Sequence, residues 1–169
     1  MDSFDKLREV VARLRAEDGC PWDREQTHQS LKPACIEEAA EVICGINVLT
    51  ETGNANNLKE ELGDLLLQVV MHAQIAEEEG LFTVDDVIAG ITEKMIRRHP
   101  HVFGEARVGS SDEVLASWEK IKAREKGNRE DVSAYLKAAF DESKDLIDTA
   151  VRRKGYDREL PERQDAKNG

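Results

Sequence analysis

The chain has 169 residues, of which 40% are hydrophobic, 35% charged and 5% aromatic, with 24 Lys and Arg against 35 Asp and Glu for a formal charge of -11. A length near 170 residues suffices for one self-supporting domain. The acidic excess argues against a protein that tracks a nucleic-acid backbone, which needs a cationic face. The longest apolar stretch, Leu65 to Met71, is interrupted by Gln68 and is far too short to span a bilayer. The opening Met1-Asp2-Ser3-Phe4-Asp5 has neither the basic flank nor the apolar stretch of a signal peptide. Cys20, Cys35 and Cys44 are odd in number and lack a C-x-x-C spacing, so no disulfide framework or zinc site is expected. The expected compartment is the cytoplasm.

Taken in chain order, the apolar residues recur with helical period. Phe4, Leu7, Val10, Val11 and Leu14 predict a helix over about 3–16, broken by Asp18-Gly19-Cys20-Pro21. Ile36, Ala39, Ala40, Ile43 and Ile46 predict a second over about 33–49, with Pro33 in its first turn and Gly53-Asn54 beyond its end. Asn57 with Glu60 resembles a capping box for a third helix, which extends to about Glu79 and stops at Gly80. Thr83 with Asp86 is a weaker start for a fourth, through Arg98. Ser110 with Glu113 is a full capping box for a fifth, over about 112–125. Asp131 can cap a sixth that carries Val132, Leu136, Ala139, Phe140 and Leu146 to Gly155. The polar tail 156–169 has no period and is expected to be disordered. No segment alternates as a strand would.

The expected fold is therefore all-α, a bundle of five to six helices. Residues 1–127 are expected to form its main domain, with an appended helix over 128–155. Between Leu62 and Ile75 the third helix is apolar around most of its circumference, so it must be covered on several sides. A second copy of the chain would cover it, which predicts a homodimer or a dimer of dimers.

Two acidic clusters lie on the two most apolar helices: Glu37-Glu38-Ala39-Ala40-Glu41 and Glu60-Glu61-Leu62-Gly63-Asp64. Residues three apart share a helix face, so Glu38 pairs with Glu41, and Glu61 with Asp64. If the two helices pack antiparallel, four carboxylates can converge, and their mutual repulsion calls for a divalent cation. Glutamate pairs at this spacing are also common on solvated faces, so either pair alone is weak evidence. All-oxygen donors favour magnesium or manganese over zinc or copper. A di-iron site would want Glu-x-x-His on two helices, whereas Glu25 to His28 is the single instance and sits beside Pro21. Gly63 within the third helix costs roughly 1 kcal/mol against alanine, which suggests close approach to that backbone.

Lys94, Arg97 and Arg98 fall at i, i+3 and i+4, followed by His99-Pro100-His101. Such cations also suit a helix C-terminus, but in so acidic a chain they are a candidate polyphosphate site. Trp118 and Lys122 share a face; the indole is either core or a stacking surface for a nucleobase.

Cys20-Pro21-Trp22-Asp23, Glu25-Gln26-Thr27-His28, Glu37-Glu38-x-x-Glu41, Glu61-x-x-Asp64, Lys94-x-x-Arg97-Arg98-His99-Pro100-His101-Val102-Phe103 and Trp118-Glu119-Lys120-Ile121-Lys122 together resemble the MazG nucleoside triphosphate pyrophosphohydrolases. The likeness covers about residues 4–125. It implies an all-α bundle that dimerises and a magnesium-dependent hydrolysis of NTPs or dNTPs to monophosphate and pyrophosphate. Carried over, Glu38, Glu41, Glu61 and Asp64 would ligate the metal, with manganese a possible substitute. Glu37 or Glu38 would orient the water or take its proton. Lys94, Arg97 and Arg98 would hold phosphates, while Trp118 and Lys122 would approach the nucleotide. Many family members carry two such domains in tandem; one is expected here, resembling the first copy. The competing reading is a nucleotide-sensing or partner-binding helical module with little or no catalysis.

Overall fold

The computed structural model of the chain describes residues 2–126 and 131–157. Among them the regular structure is helical, in agreement with the all-α expectation. In order these helices are α1 (Ser3–Arg15), α2 (Pro21–Glu25), α3 (Lys32–Thr52), α4 (Asn56–Glu78), α5 (Val84–Arg98), α6 (Pro100–Phe103), α7 (Ser111–Lys126) and α8 (Ser133–Lys154). The short α2 and α6 were not expected from periodicity, because one turn is too little to show a 3.6-residue repeat. The tail from 158 onward lies outside the described residues.

Local chemistry explains most of the boundaries. Asp2 opens α1, its carboxylate accepting from the amides of Phe4 and Asp5 at 2.9 Å each. Thr83 and Asp86 form a complete capping box at the start of α5. Ser110 Oγ accepts from the Glu113 amide at 3.3 Å, but the Glu113 carboxylate accepts from the Gly109 amide rather than from that of Ser110. The expected box at Asn57 does not form. The helix begins one residue earlier, Asn54 accepts from the Asn56 amide at 3.0 Å, and Asn57 turns its amide to Glu61. Gly53, Gly80 and Gly155, all with φ near +70°, follow the ends of α3, α4 and α8, where a left-handed residue closes the last turn.

The chain divides into two compact units. The first comprises residues 1–20 and 70–132, and thus α1, the end of α4, α5, α6 and α7. It holds a core of Val11, Val70, Met71, Ala73, Ile75, Ala76 and Val84. Arg15 of α1, its side chain only 7% exposed, clasps Glu78 of α4 with contacts of 2.8 to 3.1 Å. That charge-assisted fork draws the Glu78 carboxyl below its usual range.

The second unit comprises residues 21–69 together with those from 133 onward: α2, α3, the first part of α4, and α8. Here α8 packs on α3. The close approach is at Gly45 of α3, where a Cβ would sit 2.7 Å from the Cα of Leu58 on α4. Gly63, the position expected to mark such an approach, has nothing within 4 Å of where its Cβ would be. Leu31 is the one large apolar side chain of this unit that is fully buried among the described residues. Ile43, Ile46, Leu62, Leu66 and Val69 are exposed, as are Leu136 and Phe140 on α8. The all-round apolarity of α4 thus resolves into two halves. Val70, Met71, Ala73, Ile75 and Ala76 are buried in the first unit, and Leu62, Leu66 and Val69 leave a bare stripe in the second.

Candidate metal centre and phosphate-binding residues

The acidic centre belongs to the second unit. Each carboxylate of Glu38, Glu61 and Asp64 offers an oxygen within 4.8 Å of the other two. The i, i+3 spacing on α4 puts Glu61 and Asp64 on one face, and α3 presents Glu38 to them. Asn57, one turn before Glu61, donates to its Oε1 at 2.7 Å and fixes its orientation. Burial first, then the charges of Asp64 and Glu61, push the Glu38 carboxyl above its ordinary value. An all-oxygen set with unrelieved like-charge repulsion fits a hard divalent cation.

The fourth expected ligand, Glu41, is engaged elsewhere. Its Oε1 is ion-paired with the ammonium of Lys154 at the end of α8. Glu37 is likewise paired with Arg153. Sequence spacing could not have shown either pairing, since Arg153 and Glu37 stand 116 residues apart. Beside these carboxylates α3 and α8 leave a cleft of about 330 Å³, floored by Ala40, Cys44, Ile147 and Val151, with Glu41, Glu61 and Lys154 among its lining residues.

The cationic residues belong to the first unit, on α5 and α7. Arg97 Nε donates to Glu125 Oε1 at 2.9 Å, and Arg98 donates to Glu125 Oε2 at 2.6 Å. Hydrogen bonds from Arg98 and then Arg97 hold the Glu125 carboxyl down at about 2. Glu125 was missed from the sequence because 27 and 28 residues separate it from its partners. Lys94 lies on the same helix, half-buried. Trp118 is half-buried too, with Arg98 Cζ and Lys122 Nζ each 5.6 Å from its ring centre. That is cation–π range. Lys122 is shared with Glu119 at 3.0 Å. His99 lies near both Trp118 and His101 and binds the Met95 carbonyl through Nδ1 at 2.6 Å. Trp118 Nε1 and His101 Nδ1 are buried without a hydrogen-bond partner among the described residues.

Residues 26–103 match the family described as the MazG nucleotide pyrophosphohydrolase domain. The chain carries a MazG domain. It is 52% identical over 126 residues to the nucleoside triphosphate pyrophosphohydrolase/pyrophosphatase MazG of Thermotoga maritima, covering 75% of this chain and 46% of that protein. It is 45% identical over 135 residues to the nucleoside triphosphate pyrophosphohydrolase of Escherichia coli, covering 79% of this chain and 50% of that one. The fold is similar to the crystal structure of a MazG-related protein from Thermotoga maritima, with a TM-score of 0.56 and 27% identity over 70% of this chain and 98% of that one. The chain spans half the length, or less, of the curated relatives it matches. Glu37, the four expected metal ligands and Lys94, Arg97 and Arg98 lie inside the MazG match; Trp118, Lys122 and all of α8 lie beyond it.

Proposed function

We propose that this chain hydrolyses nucleoside triphosphates, ribo or deoxy, to the monophosphate and pyrophosphate, in a nucleotide-pool house-cleaning role. The observation that carries the reading is the convergence of Glu38, Glu61 and Asp64 within a MazG domain. Glu38, Glu61 and Asp64 would hold magnesium, with Glu41 joining once Lys154 releases it; manganese could substitute. Bound there, the ion supplies charge neutralisation on phosphate oxygens and a more acidic water. The chain's own groups do the rest. A carboxylate oxygen of Glu37 or Glu38 accepts the proton of the attacking water. Lys94, Arg97 and Arg98 stabilise charge on the departing pyrophosphate, and Trp118 with Lys122 approaches the nucleotide. One water is consumed, one phosphoanhydride bond breaks, and monophosphate and pyrophosphate leave.

The bare stripe of Leu62, Leu66 and Val69, with Ile43 and Ile46 on α3, supports assembly as a homodimer through the second unit. Residues 1–127 would be the catalytic domain, with the helix over 128–155 appended to it and 156–169 as a tail. No helix among the described residues is long and apolar enough to cross a membrane. With the acidic charge, this supports a cytoplasmic protein that engages neither membrane nor nucleic acid. The test is pyrophosphate release from a panel of single NTPs and dNTPs, with magnesium and with chelator. Metal-dependent release supports the reading. Nucleotide-induced thermal stabilisation without release would instead assign a sensing module.

A further inference from the structure

The helix α8 lies wholly outside the residues that match the MazG family, yet its last turn delivers two cations to the acidic centre. Lys154 pairs with Glu41, one helical turn from Glu38, and its charge also draws the Glu38 carboxyl downward against the stronger effects that raise it. An ammonium on a carboxylate of a metal-binding set occupies ground that a divalent cation would claim. It is a monovalent counter-ion at a site whose repulsion calls for two charges.

We infer that Lys154 is a substrate-binding residue that changes partner: it neutralises Glu41 when no divalent ion is bound, and grips the polyphosphate when one is. The inference rests on the proposed metal centre. When a cation takes Glu41, the Lys154 ammonium is repelled from it and needs a new anion. A polyphosphate held by the same cation would supply one, beside the Glu37 and Glu61 carboxylates that line the same cleft. The four-carbon stem lets the charge move while the backbone stays. The cleft of about 330 Å³ on whose wall Lys154 stands, with Ala40, Cys44, Ile147 and Val151 around it, gives the side chain open space in which to do so. The polyphosphate thus acquires a ligand from a helix that the family match does not include.

The test uses the full chain, Mn2+ and inorganic tripolyphosphate, followed by calorimetry, so it does not depend on turnover. The variants are Lys154→Gln, Lys154→Arg and, as a charge control, Lys144→Gln, whose lysine pairs with Asp141 elsewhere on α8 at 3.2 Å. Without polyphosphate, Lys154→Gln should bind Mn2+ as tightly as the wild type or tighter, because a competitor for Glu41 is gone. At saturating Mn2+ it should bind tripolyphosphate about tenfold more weakly, the loss expected for one charged hydrogen bond. Lys154→Arg should recover most of that affinity, and Lys144→Gln should match the wild type. In the wild type, amine labelling of Lys154 read by mass spectrometry should rise with Mn2+ and fall again when tripolyphosphate is added. This second measurement decides the matter even if Lys154→Gln folds poorly. Unchanged tripolyphosphate affinity in Lys154→Gln, weakened Mn2+ binding in that variant, or labelling indifferent to tripolyphosphate would each overturn the inference. Absence of NTP hydrolysis in the wild type would overturn the proposed function alone.

Discussion

The two units of this chain handle charge and apolar surface differently. The first has the larger core and pairs its half-buried arginines. Its core of Val11, Val70, Met71, Ala73, Ile75, Ala76 and Val84 is buried, and its arginines 15, 97 and 98 are matched by Glu78 and Glu125. The second buries less and gathers carboxylates at one place. Among the described residues it leaves Ile43, Ile46, Leu62, Leu66, Val69, Leu136 and Phe140 exposed, and the carboxylates of Glu38, Glu61 and Asp64 face one another. An unsatisfied surface in a folded protein marks where something from outside belongs. The difference makes the second unit the place to test for a divalent ion and for a second copy. The first unit also exposes large apolar residues, among them Phe82, Ile88, Ile91, Ile96, Val102 and Phe103, so the contrast lies in its larger buried core and not in a covered surface.

The largest effect should come from the acidic centre. Glu61→Gln keeps the shape, keeps a partner for Asn57, and removes one carboxylate of the proposed metal centre. Pyrophosphate release should fall by about 100-fold or more, as expected when the charge-stabilising ion is weakened. A steady-state assay at saturating magnesium measures it, and near-normal turnover would return Glu61 to a structural role.

Next comes the α3–α4 contact. Gly45→Ala gains helix propensity but drives a methyl to within 3 Å of the Leu58 backbone, which cannot step aside as a flexible side chain would. Net destabilisation of about 1–3 kcal/mol is expected, typical of overpacking. Urea denaturation measures it. A stabilised variant would mean that the helices separate more easily than their contact suggests.

The first unit offers a pH signature. Glu125 is held at about 2, below the 4.5 of a free glutamate. A depressed carboxyl contributes stability that is complete above pH 4.5 and is lost as pH falls toward 2. Glu125→Gln should flatten the acid limb of the melting profile across that window and lower the melting temperature near neutrality, where the wild-type contribution is complete. An unchanged acid limb would break the assignment of this carboxylate as the partner of Arg97 and Arg98.

The smallest effect sharpens the comparison most finely. Gly63 has open space where its Cβ would be, so Gly63→Ala should stabilise the isolated chain by about 0.5–1 kcal/mol. If the bare stripe of α4 is covered by a second copy at that point, the same change should instead weaken self-association, which sedimentation at several concentrations would show.

How much of this the sequence disclosed follows the range of the interactions. Signals confined to a few residues were read well: Thr83 with Asp86 starts α5, Gly80 stops α4, and the i, i+3 spacing of Glu61 and Asp64 sets them on one face. Asn57 misled because it has the chemistry of a cap, while its partner is a carboxylate one turn along rather than a backbone amide. Contacts across long separations left no periodic trace, so Glu125 and Lys154 came only from the structure. The close approach expected at Gly63 occurs instead at Gly45, for a similar reason. Both look alike in sequence, and only the crossing of α3 with α4 distinguishes them.

The central claim is that Glu38, Glu61 and Asp64 form a site that is repulsive alone and relieved by a divalent ion. Paired melting curves of the wild type and Glu38→Gln, with chelator and with magnesium, test it most directly. With chelator the variant should melt as high as the wild type or higher, because replacing Glu38 removes a carboxylate whose ionisation Asp64 and Glu61 oppose. Magnesium should raise the melting temperature of the wild type, by mass action, and raise that of the variant less. A variant that melts lower with chelator, combined with a magnesium response equal to that of the wild type, would contradict the account.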